Sequence, residues 1–178
     1  MHTEDLTFTP GYTPGICGHI VGLHGAYYAR HHGFGAPVEA RVAAGLADLL
    51  PRLSRPGNLL LHATRAGQFC GSIAIDSEDL PDGAAHLRYF IVADGHRGHG
   101  IGRQLLQQAL AFCDAREAPC TRLWTFRGLD AARRLYEQAG FRLVSERPGT
   151  QWGTEVFEQV FERDRPPSPG RDLPEVAP

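Results

Sequence analysis

The feature that most constrains this chain is a run of glycines in one short stretch, Gly95-His96-Arg97-Gly98-His99-Gly100-Ile101-Gly102. It follows Ala85–Ala93, a segment rich in aromatic and β-branched residues that reads as a strand. It opens a segment from Gly98 to about Glu117 in which Ile101, Leu105, Ala109 and Phe112 share one helical face. Glycine lets the backbone bend tightly and brings bare N–H groups close to a ligand. A helix start adds unpaired donors and a partial positive charge, and Arg97 and Arg103 add full charges. Strand, turn and helix of this composition make a pyrophosphate cradle on physical grounds. A glycine-rich turn that merely connects two elements is the competing reading, and such turns are common.

Two well-known phosphate cradles do not fit. The dinucleotide fingerprint G-x-G-x-x-G would need glycine where Arg103 or Leu105 stands. The P-loop needs a lysine, and all 18 basic residues here are arginine. The same lack of lysine excludes Schiff-base chemistry within this chain.

The rest reads as alternating helices and strands. Helices are expected over Pro14 to about His31, carrying an apolar stripe Ile16–Ile20–Leu23–Tyr27 and capped by Thr13, and over Pro37 to about Leu50, stopped at Pro51. Leu6–Thr9 is a short strand, and Asn58–Arg65 and Gln68–Asp76 form a hairpin around Ala66-Gly67. Thr121–Phe126 is a strand, Asp130–Ala139 a short helix ended by Gly140, and Phe141–Arg147 with Glu155–Phe161 a closing strand pair. The expected class is α/β, with helices layered on one sheet. Residues 1–162 are expected to form one domain, and 163–178, with five prolines and few apolar residues, a disordered tail.

Composition narrows the function. A net charge of −2 gives no basic surface for nucleic acid or an anionic membrane. No apolar run approaches the roughly eighteen residues that span a bilayer, and Met1–Asp5 lacks a signal-peptide pattern, so a cytoplasmic location is expected. Cys17, Cys70, Cys113 and Cys120 have no C-x-x-C spacing and read as reduced, partly buried apolar residues. His31-His32 and His96-x-x-His99 lack the companions of a tetrahedral set, so no metal is expected.

Arg97-Gly98-His99-Gly100-Ile101-Gly102 resembles R/Q-x-x-G-x-G/A, the acetyl-CoA motif of the GNAT acetyltransferase superfamily. Ala132 to Phe141, with Leu135-Tyr136-Glu137 at its centre, resembles that superfamily's A-x-x-L-Y-E-x-x-G-F segment, in the right order and at the right separation. The region from Asn58 to Phe161 is also similar to the acetyltransferase half of bacterial proteins that join a MarR-type regulator to a GNAT domain; the regulator half is not expected in this chain. The resemblance implies a splayed, mostly antiparallel sheet of six to seven strands with helices on both faces. It implies acetyl-CoA as co-substrate, its pantetheine paired with Phe90, Ile91 and Val92 and its pyrophosphate on Arg97, Gly98, His99, Gly100, Ile101, Gly102 and Arg103. Leu129 stands where the family often has a cofactor-contacting asparagine. Many relatives pair as dimers, so a homodimer is open.

Acetylating an amine from a thioester needs a neutral amine, a donor for the oxygen that becomes negative, and a proton for the departing thiolate. Tyr136 is the candidate proton donor, because the family places a phenol there; a tyrosine packing its ring on the sheet is the competing reading. His86, eleven residues before Arg97 where several relatives carry a glutamate, is the candidate base. By alternation its strand face carries Arg88 and Phe90, with Leu87, Tyr89 and Ile91 opposite. An ordinary strand histidine is equally open. In this fold the first helices and the last strand pair wall the acceptor pocket, which nominates Tyr27, Tyr28, His31, Phe34, Gln151 and an exposed Trp152. Asp76, Glu78 and Asp79 read as a solvated loop that could also attract a cationic amine. The expected activity is direct acetyl transfer to an amine, on a small molecule or a protein. A non-catalytic acyl-CoA sensor is the alternative.

Overall fold

The computed structural model describes residues 6–167. The elements run β1 (Leu6–Pro10), α1 (Ile16–His32), α2 (Ala36–Leu49), β2 (Leu59–Arg65), β3 (Gln68–Asp76), β4 (Ala85–Val92), α3 (Ile101–Ala115), β5 (Cys120–Phe126), α4 (Asp130–Gln138), β6 (Arg142–Gly149) and β7 (Val156–Asp164). The strands form one seven-stranded sheet in the order β1-β2-β3-β4-β5-β7-β6. Every neighbouring pair is antiparallel except β4 and β5. A parallel pair needs a long crossover, and α3 supplies it. The α/β class and the splayed, mostly antiparallel sheet expected from the sequence are what the chain forms.

Both faces of the sheet are covered. On one, α3 buries Ile101, Leu105, Leu106, Ala109, Leu110 and Cys113 against Leu61, Ile73, Leu87, Leu123 and Phe161, with Tyr136 of α4 in the same cluster. On the other, α1 and α2 bury Ile16, Ile20, Leu46 and Leu49 against Leu60, Ala74 and Tyr89. Each fully buried aliphatic side chain contributes about 1.5–3 kcal/mol by leaving water.

Three details differ from the sequence reading. First, Thr13 does not cap α1: Gly15, at φ +88°, is the cap residue, and only the Thr13 carbonyl takes part, accepting from the Ile16 N–H at 3.0 Å. Second, the buried stripe of α1 is Ile16–Ile20–His24, with Leu23 only half-buried. Third, β7 continues two residues past 162: Arg163 makes a bidentate pair with Asp114 at 2.8 and 2.9 Å and bonds the Ala139 carbonyl. The proline-rich stretch from 168 onward lies outside the described residues.

The feature that shapes the site is an irregularity in β4. Ser72 pairs with Ile91 and Ala74 with Arg88, so Ile73 alone opposes both Tyr89 and Phe90. Tyr89 takes φ +52°, a left-handed conformation unusual for a bulky residue. This β-bulge bends the strand and increases its local twist. β4 meets β5 only at Ala85–Thr121 and His86–Arg122, and beyond that point the two strands part.

Candidate active site

A cavity of about 940 Å³ fills the gap between the parted strands. One long side is the free edge of β4, whose backbone beyond His86 has no strand beside it. Such an edge accepts an extended chain carrying amides. The bulge also resets which side chains face it. Phe90 joins Leu87 on the α3–α4 face, 5.9 Å ring to ring from Tyr136, whereas Tyr89 joins Arg88 on the α2 face. Simple alternation along β4, with Phe90 on the face of His86 and Arg88, is therefore corrected: one extra residue shifts the period.

At one end of the cavity stands the glycine-rich turn. Gly98 and Gly100 take φ +78° and +77°, so glycine is required there to turn the chain into α3. A Cβ at Gly98 would meet nothing within 4 Å, so the turn opens to space. Gly100 caps α3 without any side-chain bond. His96 and Arg97 donate to the Ala93 and Asp94 carbonyls, and after them the next N–H with a backbone partner is that of Gln104, donating to the Gly100 carbonyl at 3.0 Å. The amides from Gly98 to Arg103 thus remain as donors at a positive helix end, an anion cradle. A Cβ at Gly102 would make ordinary van der Waals contact, 3.4–3.5 Å, with Leu135, Phe90 and Val92. Arg97 bonds the Val92 carbonyl at 2.9 Å and lies 4.1 Å over the Tyr27 ring. Asp94 ties the turn to the end of α1, accepting from His31 at 2.9 Å and from Arg30 at 3.3 Å. The His31 bond first, and Arg97 and Arg30 after it, hold the Asp94 carboxyl below its usual range.

At the other end, at the last β4–β5 pair, lies His86. Its Nδ1 bonds the Asp79 carboxylate, and its ring meets Trp124 edge-on at 4.7 Å. An Nδ1–H donated to Asp79 leaves Nε2 as the free acceptor. Burial lowers the His86 pKa, with Asp79 opposing and Arg88 assisting, so the ring is neutral near pH 7. The acidic loop is therefore no solvated patch. Asp76 is fully buried, held by Arg52 at 2.9 and 2.8 Å, and Glu78 bonds Arg55 and Asn58. Burial alone would raise the Asp76 carboxyl; the Arg52 bonds and the Glu78 amide outweigh it and hold it low.

Between the two ends stands Tyr136, 6 % exposed and ringed by Phe90, Phe141 and Phe161. Burial, with the Tyr28 phenol nearby, pushes its hydroxyl well above the usual tyrosine value, so it keeps its proton. The opposite wall comes from α1 and α2, through His24, Tyr27, Tyr28, Val38, Arg41 and Val42. Gln151 and Trp152 close the mouth. Arg41 donates to the Gln151 side-chain oxygen at 3.1 Å, and the backbone at Gly153 lies against Pro37.

Of the residues expected at the cofactor, Phe90, Ile91, Val92, Arg97, Gly98, Gly100, Ile101, Gly102 and Arg103 line the cavity and His99 does not. Of those expected at the acceptor, Tyr27, Tyr28, Gln151 and Trp152 line it, while His31 lies on Asp94 outside it. Phe34 is buried with Val38 and Phe126 behind the wall, and Trp152 is half-buried on Phe126 at 5.3 Å. Leu129 belongs to that same apolar cluster. The sequence reading missed His24, Arg41 and the pairing of Asp79 with His86. Among the described residues no three His, Cys, Asp or Glu side chains gather as metal ligands, and no helix is long and apolar enough to cross a membrane. All four cysteines are free, and none lines the cavity.

A family model described as the acetyltransferase (GNAT) family matches residues 35–141. The N-acetylaspartate synthetase of Danio rerio is 27% identical over 139 residues, 78% of this chain and 49% of that protein; the chain thus spans about half the length of that curated relative. Among solved structures, the ribosomal-protein-alanine N-acetyltransferase of Brucella melitensis superposes with a TM-score of 0.71 at 18% identity, covering 89% of this chain and 99% of that one. A Salmonella typhimurium protein solved with its cofactor acetyl-CoA gives 0.69 at 16% identity, covering 97% and 99%.

Proposed function

The chain belongs to the acetyltransferase (GNAT) family, whose acyl donor is acetyl-CoA, and from that premise we propose that it acetylates an amine directly in the β4–β5 cleft, with His86 and Tyr136 moving the protons. Bound acetyl-CoA supplies the activated acetyl thioester. The amides of Gly98–Arg103 would hold its pyrophosphate, and the open edge of β4 would pair with its pantetheine amides. His86 accepts a proton from the attacking amine at Nε2, directly or through a water, while Asp79 fixes the ring. A β4 amide donates to the acetyl oxygen as its charge grows. Tyr136 donates its proton to the departing sulfur. Burial raises the thiol pKa values of Cys70, Cys113 and Cys120, which speaks against an acetyl-cysteine route.

The observation that carries this reading is the conjunction of a splayed edge and a helix start with unpartnered amides on one cavity. The likeness to the acetyltransferase half of MarR-type fusion proteins stays a reading of residues 58–161, and the matched family model supports its acetyltransferase part. The test is calorimetric titration with acetyl-CoA, CoA and ATP, followed by thiol release over a panel of amines. Acetyl-CoA binding with amine-dependent thiol release supports the proposal. Binding without release on any amine favours an acyl-CoA sensor, and no binding overturns both.

A further inference from the structure

We propose that the acceptor is an amine that also carries a carboxylate, and that Arg88 reads that carboxylate beside His86. The inference rests on the acetyl-transfer reading and names its substrate class. Arg88 sits two residues after His86 on β4, lines the cavity, and is 19% exposed at its side chain. Its nearest carboxylates are Asp79 at 3.5 Å and Asp76 at 3.7 Å. Both are engaged by closer partners: Asp76 by the two Arg52 bonds, Asp79 by His86. Among the described residues the Arg88 guanidinium makes no hydrogen bond of good geometry, although it carries five N–H donors. A largely covered guanidinium with unused donors is costly unless something supplies acceptors.

The surroundings point the same way. The Arg88 head group lies where α2 has no side chain: a Cβ at Gly45 would come within 2.6 Å of Nη2 and 2.2 Å of the Tyr89 hydroxyl. That hydroxyl is itself buried without a partner. One helical turn earlier, Arg41 holds Gln151, whose side-chain nitrogen is also buried and unpartnered. The unmatched groups at this end of the cavity can all donate. A carboxylate, with two oxygens and no donor, complements them and matches the guanidinium fork.

Spacing and charge fix the class further. Two residues along a strand put His86 and Arg88 about 6.6 Å apart on one side of β4. His86 Nδ1 and Arg88 Nη1 both lie beside one Asp79 oxygen, so the two side chains converge, and a short amino carboxylate in the cavity can reach both. Its nitrogen would meet His86 Nε2 and its carboxylate would meet Arg88. An alkylammonium lacking the carboxylate would leave the Arg88 donors unmatched.

The experiment reads binding and turnover on the same samples. Free α- and β-amino acids, with their amides and decarboxylated amines, are titrated into CoA-saturated protein and then assayed for thiol release from acetyl-CoA. The carboxylate-bearing members are expected to bind and react at least about tenfold better than their partners, the scale of a charge-assisted bond. Arg88→Gln should bring the two classes to near equality while acetyl-CoA affinity stays unchanged, which separates this inference from the cofactor reading. Arg88→Lys, which keeps charge and bulk but not the fork, should retain part of the preference and serves if the glutamine variant does not fold. Amides that bind and react as well as acids would overturn the proposal. So would an Arg88→Gln variant that weakens both classes equally, or CoA-loaded protein that binds no amino carboxylate.

Discussion

At the scale of single residues, burial assigns the direction of each proton. Tyr136 keeps its proton at every physiological pH, so it can only donate. A thiolate generated in the same dry site is destabilised by the same lack of water, which keeps donor and acceptor matched. Tyr136→Phe preserves the ring contacts with Phe90, Phe141 and Phe161 and removes the hydroxyl with its proton. Turnover should fall about a hundredfold, the usual worth of a positioned acid, with acetyl-CoA affinity unchanged. Single-turnover kinetics beside calorimetry checks this, and an unaltered rate would remove Tyr136 from the chemistry. As the proposed base, His86 would work only when neutral, so the rate should rise with pH through its pKa, which burial sets below the ordinary 6.5. Asp79 opposes that shift. Asp79→Asn should therefore move the acid limb of kcat/KM to still lower pH. It should also lower the plateau by about tenfold or more, because the ring is no longer held in one tautomer. A pH profile with limb and plateau both unmoved would detach Asp79 from the base.

At the scale of elements, what the sequence made legible was whatever depends on local period and local turn chemistry. The strand, glycine turn and helix from 85 to 115 were readable because the period changes from two to 3.6 across glycines that only a tight turn needs. The bulge at Tyr89 was not, since no local signal marks a tyrosine at φ +52°; only pairing with β3 reveals that Ile73 faces two residues. His24 was missed because a histidine on an apolar face looks out of place until its Nδ1–H finds the Ile20 carbonyl at 2.8 Å. The pairing of Asp79 with His86 was missed because the two lie on opposite sides of a loop turn. Two predictions belong here. Gly100→Glu places bulk, negative charge and a strained φ of +77° at the cradle, and should abolish acetyl-CoA binding; Gly100→Ala, which carries the strain without the charge, should weaken it less. Equal affinities in calorimetry would put the pyrophosphate elsewhere. Burial lowers the His24 pKa to about 4, so the folded state binds its proton later than the unfolded chain does. Stability from this group is complete above 6.5 and drains as pH falls from there toward 4, by about 3 kcal/mol in all. Denaturant melts should show that loss in the wild type and a shallower one in His24→Gln. Parallel slopes for both would assign the acid loss to other groups.

At the scale of the molecule, the sheet consists of two parts joined across the cleft by very little. β1 to β4 form one continuous antiparallel ladder and β5, β7 and β6 another, and only the pairs at Ala85 and His86 connect them. α3 crosses between them and packs on β2, β3 and β4, and the aromatic cluster of Tyr28, Phe34, Phe126 and Trp152 bridges them at the mouth. A ligand that pairs with β4 and reaches α3 and α4 adds the contacts the sheet lacks at its centre. Binding to the folded state alone stabilises it by about 2.7 kcal/mol at a concentration of 100 times Kd. For a chain of this size that corresponds to a rise in Tm of about 5–10 °C. Acetyl-CoA and CoA should both produce it, and ATP, which lacks the pantetheine arm, should produce much less. Hydrogen exchange should slow most at those amides of Leu87–Val92 that point away from β3 into the cleft, and at Gly98–Arg103. A thermal shift of equal size with ATP would mean that the phosphate cradle alone accounts for binding and that the open edge of β4 takes no part.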